Sequence, residues 1–586
     1  MKNKSVLDLC FEGKFNIELN KSFNKVSNDL RNHFNSLIEE LSEPNKDNID
    51  WWVNELPSRH NLASPFFHYI CCIHFVNYLI ETNKFKYEKI LVDSLELKKV
   101  LSLIIRKNYS NKCIVQIDPD IFVKVKNLFK QYFSSTHIFF YNIMKLLIAR
   151  FLSKSFSSKL PEKDLVLIDT FVIPGYTDSK RWYGSLWENL SSEMQNQTYF
   201  VYTITKSSIS ILFSTYSQLK TNTENYIIKE AYLHFSDLLF AFNYKKRFKY
   251  FKVKKIEILN QDITGLIKEC LFNQRDIHSI QESLLTYRFI HRLEQKKVRV
   301  RLAIDWFEGQ GIDKAWNAGF HTFYPAAKTV AYRAFESYSL YLCSYPIPIE
   351  ADAGVIPHVF AVQGSKTAIS VKEFMPGLKT ILIPAYKSEY VWQKSNQNIV
   401  AKLNNIIVAL PITINTSKYI ISMIMEICNN EKYRESNYRF ILKPHPAISI
   451  KTVYPLPLEN MPPNVLFTAE KSFSKLLHSA NVLITEQSST CLEAISIGVP
   501  VILVKRKDGL FYNPLPEGID EELFKFCSSG DELKNALNGY LFMSDGDREK
   551  LIIKGHAVRG NYFQPITKEG TNRFMDVNQK ENHIHA

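Results

Sequence analysis

The stretch that decides the fold is NVLITEQSSTCLEAISIGVPVILV, residues 481–504. NVLIT and VPVILV are short apolar runs typical of buried strands, and STCLEAISIG between them has the length of a short helix. Gly498 and Pro500 mark the end of that helix and the start of the next strand. Strand, loop, helix and strand form the unit of a parallel sheet. Ser488 and Ser489 then lie at the helix start, where free N–H groups favour an anion, although either serine would also serve as an N-cap.

A second motif, KPHP, covers residues 443–446 and follows an apolar run. It is therefore expected at the carboxyl end of a strand, where doubly wound folds bind their ligands. Pro444 and Pro446 restrict the backbone on both sides of His445. A fixed imidazole near a helix N-terminus suits a phosphate ester, whereas a lone histidine is more often structural. Lys443 would add positive charge, unless it faces solvent as strand-end lysines often do.

KPHP, the turn with the paired serines and CLEAISIGVPVI resemble the nucleotide-binding half of GT-B glycosyltransferases that build bacterial surface polysaccharides. The chain is most similar to the CMP-sugar users, such as polysialyltransferases and transferases for 3-deoxy-D-manno-oct-2-ulosonic acid (Kdo). Their HP and SS motifs hold the CMP, which implies that role for His445 and Pro446 and for Ser488 and Ser489. The CDP-glycerol polymerases of wall teichoic acid share a similar pattern. Looser similarity in RWYGSLWENL and DWFEGQGIDKAWNAGF extends the resemblance over most of the chain.

One feature departs from other members of this fold. Many retaining GT-B enzymes that use UDP- or GDP-sugars carry two glutamates separated by seven residues, whereas Glu486 and Glu493 are separated by six. Glu493 is still expected one turn into the helix. There its carboxylate could accept hydrogen bonds from a ribose diol, or it could simply face solvent.

Candidate catalytic carboxylates lie in RLAIDWFEGQGID, where a predicted strand ends. Gly309 and Gly311 allow a tight loop and close ligand approach beside Glu308 and Asp305. A carboxylate there could act as a base on an acceptor hydroxyl, or it could attack the anomeric carbon. The alternative is that Asp305 caps a helix and Glu308 is an ordinary loop acid. Three further side chains are candidates for the acceptor side of the cleft: Asp169, Arg181 and Asp352.

Composition bounds the class of protein. A chain of 586 residues with 45% hydrophobic content is expected to hold two or more domains with full cores. Its nine cysteines include no CxxC pair, which argues against a disulfide framework and a zinc site. A CMP-linked sugar leaves with one phosphate and needs no metal clamp, so we expect no metal and no cofactor beyond the nucleotide-sugar donor. The N-terminus lacks a signal-peptide core and predicts a cytoplasmic protein.

The charge balance is basic, with 73 Lys and Arg against 59 Asp and Glu. Nucleic acid, an anionic membrane and acidic substrates all suit this balance, but the absence of a nucleic-acid-binding motif makes nucleic acid the weakest. Residues 245–255, KKRFKYFKVKK, suit an anionic lipid surface or a solvated edge strand. Residues 131–152 are long enough to span a bilayer, but internal charges favour a core or interfacial helix. Peripheral association with the inner face of the cytoplasmic membrane is therefore expected.

Alternating strand and helix signals predict an α/β, GT-B architecture of two Rossmann-like doubly wound domains that face a cleft, with helical N-terminal additions. The expected segments are a helical extension (1–88), an acceptor domain (89–386), a linker (387–404), a nucleotide-donor domain (405–540) and a C-terminal helix and tail (541–586).

The predicted function is the transfer of a sugar, from a CMP-activated ulosonic acid such as Kdo or sialic acid, to a glycan or lipid-linked glycan acceptor in surface-polysaccharide biosynthesis. Three alternatives stay open. They are a CDP-glycerol-type glycerophosphotransferase, a UDP-sugar-using GT-B enzyme or epimerase, and a non-catalytic glycan-binding scaffold.

Overall fold

The structure of the chain is a computed structural model. It describes residues 6–576 apart from these gaps: 12, 14, 110–112, 118–120, 154–162, 174–175, 206, 394–403, 429–432, 434–436, 447, 469, 471 and 506–508; at 121–133 and 152–153 it describes the backbone alone.

In the described part of the chain, eighteen strands form three parallel sheets and one short antiparallel pair. In chain order they are β1 (Val6–Asp8), β2 (Lys89–Val92), β3 (Ile114–Ile117), β4 (Leu165–Val172), β5 (Thr198–Ile204), β6 (Tyr226–Ile228), β7 (Glu257–Ile258), β8 (Gln261–Asp262), β9 (Val300–Trp306), β10 (Lys328–Arg333), β11 (Val359–Val362), β12 (Thr380–Leu382), β13 (Asn405–Ala409), β14 (Arg439–Lys443), β15 (Val465–Phe467), β16 (Ala480–Thr485), β17 (Val501–Val504) and β18 (Phe524–Cys527).

Helices connect these strands. They are α1 (Ile17–Asp29), α2 (Arg31–Ser42), α3 (Ile49–Trp52), α4 (Phe66–Glu81), α5 (Leu95–Asn108), α6 (Ile121–Ser153), α7 (Lys180–Tyr183), α8 (Leu186–Asn189), α9 (Ser192–Gln197), α10 (Ile209–Leu219), α11 (Phe235–Phe242), α12 (Tyr244–Arg247), α13 (Thr264–Phe272), α14 (Ile277–Gln295), α15 (Gly311–Phe323), α16 (Pro348–Asp352), α17 (Ser365–Ser370), α18 (Ile414–Cys428), α19 (Ile450–Val453), α20 (Phe473–His478), α21 (Thr490–Ser496), α22 (Gly530–Leu541), α23 (Asp545–Tyr562) and α24 (Lys568–Met575). Short 3-10 turns lie at Glu43–Asn45, Lys229–Ala231, Phe248–Tyr250, Leu342–Ser344, Tyr386–Trp392 and Leu458–Asn460.

The two large sheets have the strand order of Rossmann domains. The first runs β12-β11-β10-β9-β4-β5-β6 and the second runs β15-β14-β13-β16-β17-β18, with every neighbouring pair parallel. In each sheet the chain proceeds outward on one side and then returns to the centre to build the other. The strand order therefore reverses between β4 and β9 and between β13 and β16, the switch points beside which such folds bind ligands. The α/β, doubly wound prediction is confirmed.

The N-terminal part differs from the prediction. The strands predicted near residues 89 and 113 form, but β2 pairs with β1 and β3 in a separate three-stranded sheet. β2 and β3 therefore do not join the first Rossmann-like sheet, and the mostly helical segment before residue 89 also contains the short strand β1. The physical reason is a long-range pairing: β1 contributes only three residues, too few to give a recognisable alternation.

A fully buried charge cluster joins this N-terminal part to the first domain. Arg59 donates to both carboxylate oxygens of Glu350 at 2.9 Å, and Lys314 of α15 also pairs with Glu350. Arg59 donates further hydrogen bonds to Asn35 and to the Tyr345 carbonyl. Because each charge is paired and hydrogen-bonded, the cluster can exist in the interior.

The C-terminal helices return to the first domain. α23 packs on α21, where a Cβ at Gly555 would lie 2.1 Å from the Ile495 carbonyl oxygen, so only glycine fits this crossing. α24 then places Phe574 and Met575 in the core of the first sheet. The chain thus crosses the gap between the domains twice, at residues 383–393 and again near Phe563.

The two segments considered for membrane contact, residues 131–152 and 245–255, have different structures. α6 covers 131–152, with one side packed in the core through Leu146, Ile148 and Ala149. Among the described residues, no helix combines the length and apolarity that crossing a bilayer requires. Residues 245–255 form α12, a 3-10 turn and irregular chain rather than the edge strand considered above.

Candidate functional site

KPHP and the serine turn lie at the same edge of the second sheet. KPHP begins at the end of β14 and the turn follows β16, and parallel strands end at a common edge. One strand, β13, separates them, so the two loops start about 10 Å apart. They therefore border the switch point between β13 and β16, where a ligand would lie.

His445 is half-buried and faces the first domain. Its carbonyl accepts a hydrogen bond from the Ile448 N–H at 2.9 Å, which closes the KPHP loop. Burial, and then the positive charge of Arg181, lower the pKa of the imidazole below its usual 6.5. Arg181 belongs to α7 of the first domain, so its charge acts on His445 across the gap between the domains. The imidazole is accordingly neutral near pH 7.

The paired serines have different roles. The side chain of Ser489, which stands before α21, makes no capping bond. The hydroxyl of Ser488 accepts from the Thr490 N–H at 3.4 Å and lies 2.7 Å from the Thr490 hydroxyl. Ser488 therefore caps the start of α21, which is the structural role considered as the alternative to anion binding. Ser489 instead lines the pocket between the domains. Gly498, at φ +81°, ends α21 as the sequence predicts.

Lys443 and Pro446 of the KPHP motif have distinct surroundings. The Lys443 ammonium donates to the Glu470 carbonyl at 2.5 Å, and burial lowers its pKa while Glu470 opposes the shift. It is half-buried rather than solvent-facing. Pro446 is exposed and forms the outer turn of the loop.

Glu493 does not face solvent. It is 8% exposed, and its two oxygens accept hydrogen bonds from the Ser388 hydroxyl at 3.0 Å and the Tyr390 hydroxyl at 2.5 Å. Both donors belong to the segment that joins the domains. The Glu493 carboxylate therefore holds α21 against the segment that joins the domains. A ribose hydroxyl could donate only to the lone pairs of Glu493 that remain free. Glu486 is fully buried below the turn.

Glu308 is held at the carboxyl end of β9. The Trp306 indole N–H donates to its Oε1 at 2.9 Å and the Gln310 side-chain amide donates to its Oε2 at 2.7 Å. Gly309 has φ +79°, and a Cβ there would lie 1.7 Å from the Cys343 carbonyl oxygen. Asp313 accepts the backbone N–H groups of Glu308 and Gln310 at 2.9 Å each, which fixes the loop.

Lys387 is a residue that sequence reasoning missed, because it was assigned to the linker. It is half-buried, and its ammonium lies 5.0 Å from the centre of the Trp306 ring. Burial lowers its pKa, while the charges of Glu493 and Glu308 oppose the shift. The signal available in the sequence was its position directly after the KTILIPAY strand, at a carboxyl edge.

Arg181 continues the same row of cations and aromatic rings. Its guanidinium lies 4.7 Å from the Tyr176 ring centre and 5.4 Å from that of Trp182. The Trp182 and Trp306 ring centres are 5.0 Å apart. Within the described part of the chain, no carboxylate lies at ion-pair distance from Arg181 or Lys387. Two cations thus flank the cleft, and among the described residues neither has a carboxylate within ion-pair distance, although the charges of Glu493 and Glu308 still act on Lys387.

Three predicted acids do not reach this cleft. Asp305 is 1% exposed, accepts from the Asn317 amide at 2.9 Å, and has a pKa raised by burial and by Asp313. Asp169 is 2% exposed in β4, and burial raises its pKa to about 6. Asp352 is exposed beside the N-terminal part, where its charge acts on Glu39 and Lys46. The roles predicted for Asp305, Asp169 and Asp352 are therefore not supported by their positions. Strand alternation turns Asp305 inward under α15, and Asp313 rather than Asp305 caps that helix.

A pocket opens between the domains next to these groups. With the solvent at its open mouth counted, its volume is about 330 Å³, and it is bounded by the ends of β10 and β11 and by α17 in the first domain, by the start of α21 in the second, and by the C-terminal crossing. Its lining residues are Arg333, Ala334, Phe335, Glu336, Gln363, Thr367, Ser489, Leu492, Glu493, Tyr562 and Phe563. Among the described residues, no group of three His, Cys, Asp or Glu is placed to hold a metal ion. The expectation of metal independence stays a prediction.

Comparison with known proteins adds little beyond the fold. No family profile and no curated protein matches the sequence. Solved structures with a similar fold include CalG4, the calicheamicin glycosyltransferase (13% identity, TM-score 0.41, 72% of this chain and 100% of that one). They also include the UDP-GlcNAc 2-epimerase from Neisseria meningitidis bound to UDP-GlcNAc (11%, 0.41, 70% and 99%) and MurG from Acinetobacter baumannii (10%, 0.37, 72% and 100%). The strand orders themselves show two doubly wound, Rossmann-order sheets, which is the arrangement that the resemblance to GT-B enzymes predicts.

Proposed function

We propose that this protein is a glycosyltransferase of bacterial surface-polysaccharide biosynthesis. Its donor is a CMP-activated ulosonic acid such as Kdo or sialic acid, and its acceptor is a glycan or lipid-linked glycan. The observation that carries the proposal is the row of cations between the two switch points. Arg181 and Lys387 flank the cleft without a neighbouring carboxylate at ion-pair distance, and His445 faces Arg181 from the other domain. A bound phosphate would supply the missing negative charge.

The donor phosphate would lie between the His445 imidazole and the serine turn, with Arg181 and Lys387 closing on it from the first domain. Charge that develops on the phosphate as the sugar leaves is stabilised by these donors, which are already in place before reaction. The resemblance to CMP-sugar enzymes in the HP and SS motifs supports cytidylate over other nucleotides.

Glu308 is the carboxylate we assign to the acceptor side. It lies half-buried at the edge of the cleft, with both oxygens oriented by Trp306 and Gln310. It would either accept the proton of the attacking acceptor hydroxyl, giving inversion, or attack the anomeric carbon and form a glycosyl-enzyme, giving retention.

A thermal-shift panel of CMP, CDP, UDP and GDP tests the donor assignment. A ligand that binds only the folded chain stabilises it by about 2.7 kcal/mol at a hundred times its Kd. We expect the largest rise in midpoint with CMP or CDP, and no rise in His445→Ala. His556→Ala, at an exposed histidine of α23, is the matched control and keeps the shift. A clear preference for UDP or GDP would refute the CMP donor.

Product analysis with a CMP-sugar and with CDP-glycerol then separates sugar transfer from glycerol-phosphate transfer. Glu308→Gln should abolish transfer while it leaves the CMP-induced shift intact. If wild type transfers neither group, and Glu308→Gln behaves as wild type does, the chain is a binding scaffold rather than an enzyme; equal transfer by both would instead remove Glu308 from catalysis.

A further inference from the structure

One surface of the first domain exposes an unusual set of large apolar side chains. They lie on α6, α10 and α11, which we call the three-helix face. Its exposed residues are Phe140, Met144, Leu147, Phe151, Ile209, Ile211, Phe213, Phe235 and Leu239. Their exposed fractions range from 36% at Met144 to 72% at Phe151. Single exposed apolar residues are ordinary, but a contiguous set marks an interaction surface.

The α6 residues form a stripe. Phe140, Met144, Leu147 and Phe151 follow one another at spacings of four, three and four, which places them on one side of the helix. The opposite side is buried in the domain core. The helix thus carries two apolar faces, of which only one is covered.

The three helices are neighbours. Phe139 of α6 contacts Phe235 and Phe242 of α11, with ring centres 6.0 and 4.7 Å apart. Further along α6, Arg150 donates to the Leu233 carbonyl at 2.8 Å, so α11 runs antiparallel beside α6. On the other side, the Tyr141 hydroxyl accepts from the Ser207 N–H at 3.2 Å, just before α10 begins.

A basic segment continues directly from this face. Residues 245–255 follow α11 and are anchored by buried Phe248 and by Arg247, which pairs with Asp50 through two contacts of 2.6 and 2.7 Å. Its exposed lysines are Lys245, Lys246, Lys249, Lys252, Lys254 and Lys255. Lys255 pairs with Glu257 at 2.5 Å, and the segment itself contains no acid.

The three-helix face presents no exposed carboxylate in its described residues. α10 and the described side chains of α6 contain no acid, and the single acid of α11, Asp237, is fully buried and paired with Arg288 and Arg292. A bulky apolar surface that lacks negative charge and adjoins a lysine cluster matches an anionic bilayer.

We propose that the three-helix face and residues 245–255 dock on an anionic lipid membrane. The aromatic and aliphatic side chains enter the boundary between headgroups and acyl chains, and the lysines contact lipid phosphates. This inference does not rest on the proposed transferase activity, because lipid binding is measured without donor or acceptor. If both hold, docking brings the cleft to an acceptor held in the membrane.

The test is co-sedimentation of the full chain with vesicles of phosphatidylcholine alone and of equimolar phosphatidylcholine and phosphatidylglycerol. We expect binding to the anionic vesicles that weakens with salt. Lys245→Gln, Lys246→Gln and Lys249→Gln combined should weaken it about 100-fold, at about fivefold per lysine. Phe140→Ser with Phe151→Ser should weaken it by at least about tenfold.

Matched controls come from exposed residues of the second domain and the C-terminal helices: Lys418, Lys475 and Lys568 to Gln, and Phe542 and Ile553 to Ser. Unchanged unfolding midpoints and CMP-induced shifts show that the face variants fold. Equal vesicle binding by face and control variants, or no binding by wild type, would overturn the proposal. So would a vesicle-free dimer in sedimentation velocity that Phe140→Ser with Phe151→Ser dissociates, since a second copy would then cover the face.

Discussion

Replacing Arg181 by glutamine tests the site most directly. In the ligand-free chain this guanidinium is stacked on Tyr176 and Trp182, and its charge lowers the pKa of His445. No carboxylate among the described residues compensates it. A hydrogen bond to a charged group contributes about 1.5–3 kcal/mol. Loss of this contact should therefore raise the Kd for CMP about 10- to 150-fold.

The same variant should lose little stability, because it removes a half-buried cation that has no carboxylate within ion-pair distance among the described residues. It should also raise the pKa of His445, since a nearby positive charge disappears. Isothermal titration with CMP, thermal unfolding and an NMR titration of the histidine ring measure the three effects. Arg299→Gln, at an exposed arginine at the opposite edge of the same sheet, is the control. A Kd within about twofold of wild type would show that the cleft does not place its phosphate here.

Two further predictions concern the supports of the site. Burial and the Glu308 charge raise the pKa of Asp313, so the folded chain binds its proton more tightly than the unfolded chain does. The stability that Asp313 contributes is therefore full at acid pH and is lost as the pH rises through its raised pKa. The Asp313→Asn variant keeps an acceptor for the two loop N–H groups but cannot titrate. Unfolding midpoints measured against pH should therefore fall less steeply in this variant than in wild type. Arg59→Met leaves Glu350 paired with Lys314 alone in a fully buried cluster and should cost about 3–5 kcal/mol of unfolding free energy in denaturant titrations, whereas the Arg59→Met, Glu350→Leu, Lys314→Met triple variant should recover much of that loss.

The sequence is most informative in the second domain. The elements around residues 441–504 follow from local patterns: short apolar runs, a glycine at positive φ and paired prolines. Each of these signals spans a few residues, so no long-range contact is needed to recognise it. β14, β16, α21 and β17 accordingly appear where the sequence places them.

The side chains that line the cleft were harder to predict from the sequence. Glu308 and Asp305 are three residues apart, yet one borders the cleft and the other is sealed beneath α15, because Asp305 is still inside the strand. Lys387 and Tyr390 look like linker in the sequence. Their importance depends on contacts with Trp306 and Glu493, which are distant in the chain. Packing between segments that are distant in the chain determines which side chains reach the cleft. A local sequence pattern carries no information on that packing.

The position of α24 bears on how the chain matures. Phe574 packs near Tyr332 and Tyr386, and the Thr571 hydroxyl meets the Tyr386 hydroxyl at 2.8 Å. The N-terminal half therefore emerges from the ribosome before α24, whose Phe574 and Met575 complete its core, has been made. This part of the core therefore stays uncovered while the second domain is being translated. A chaperone requirement in the cell, relieved when residues 563–576 are supplied in trans, is the expected sign of this late closure.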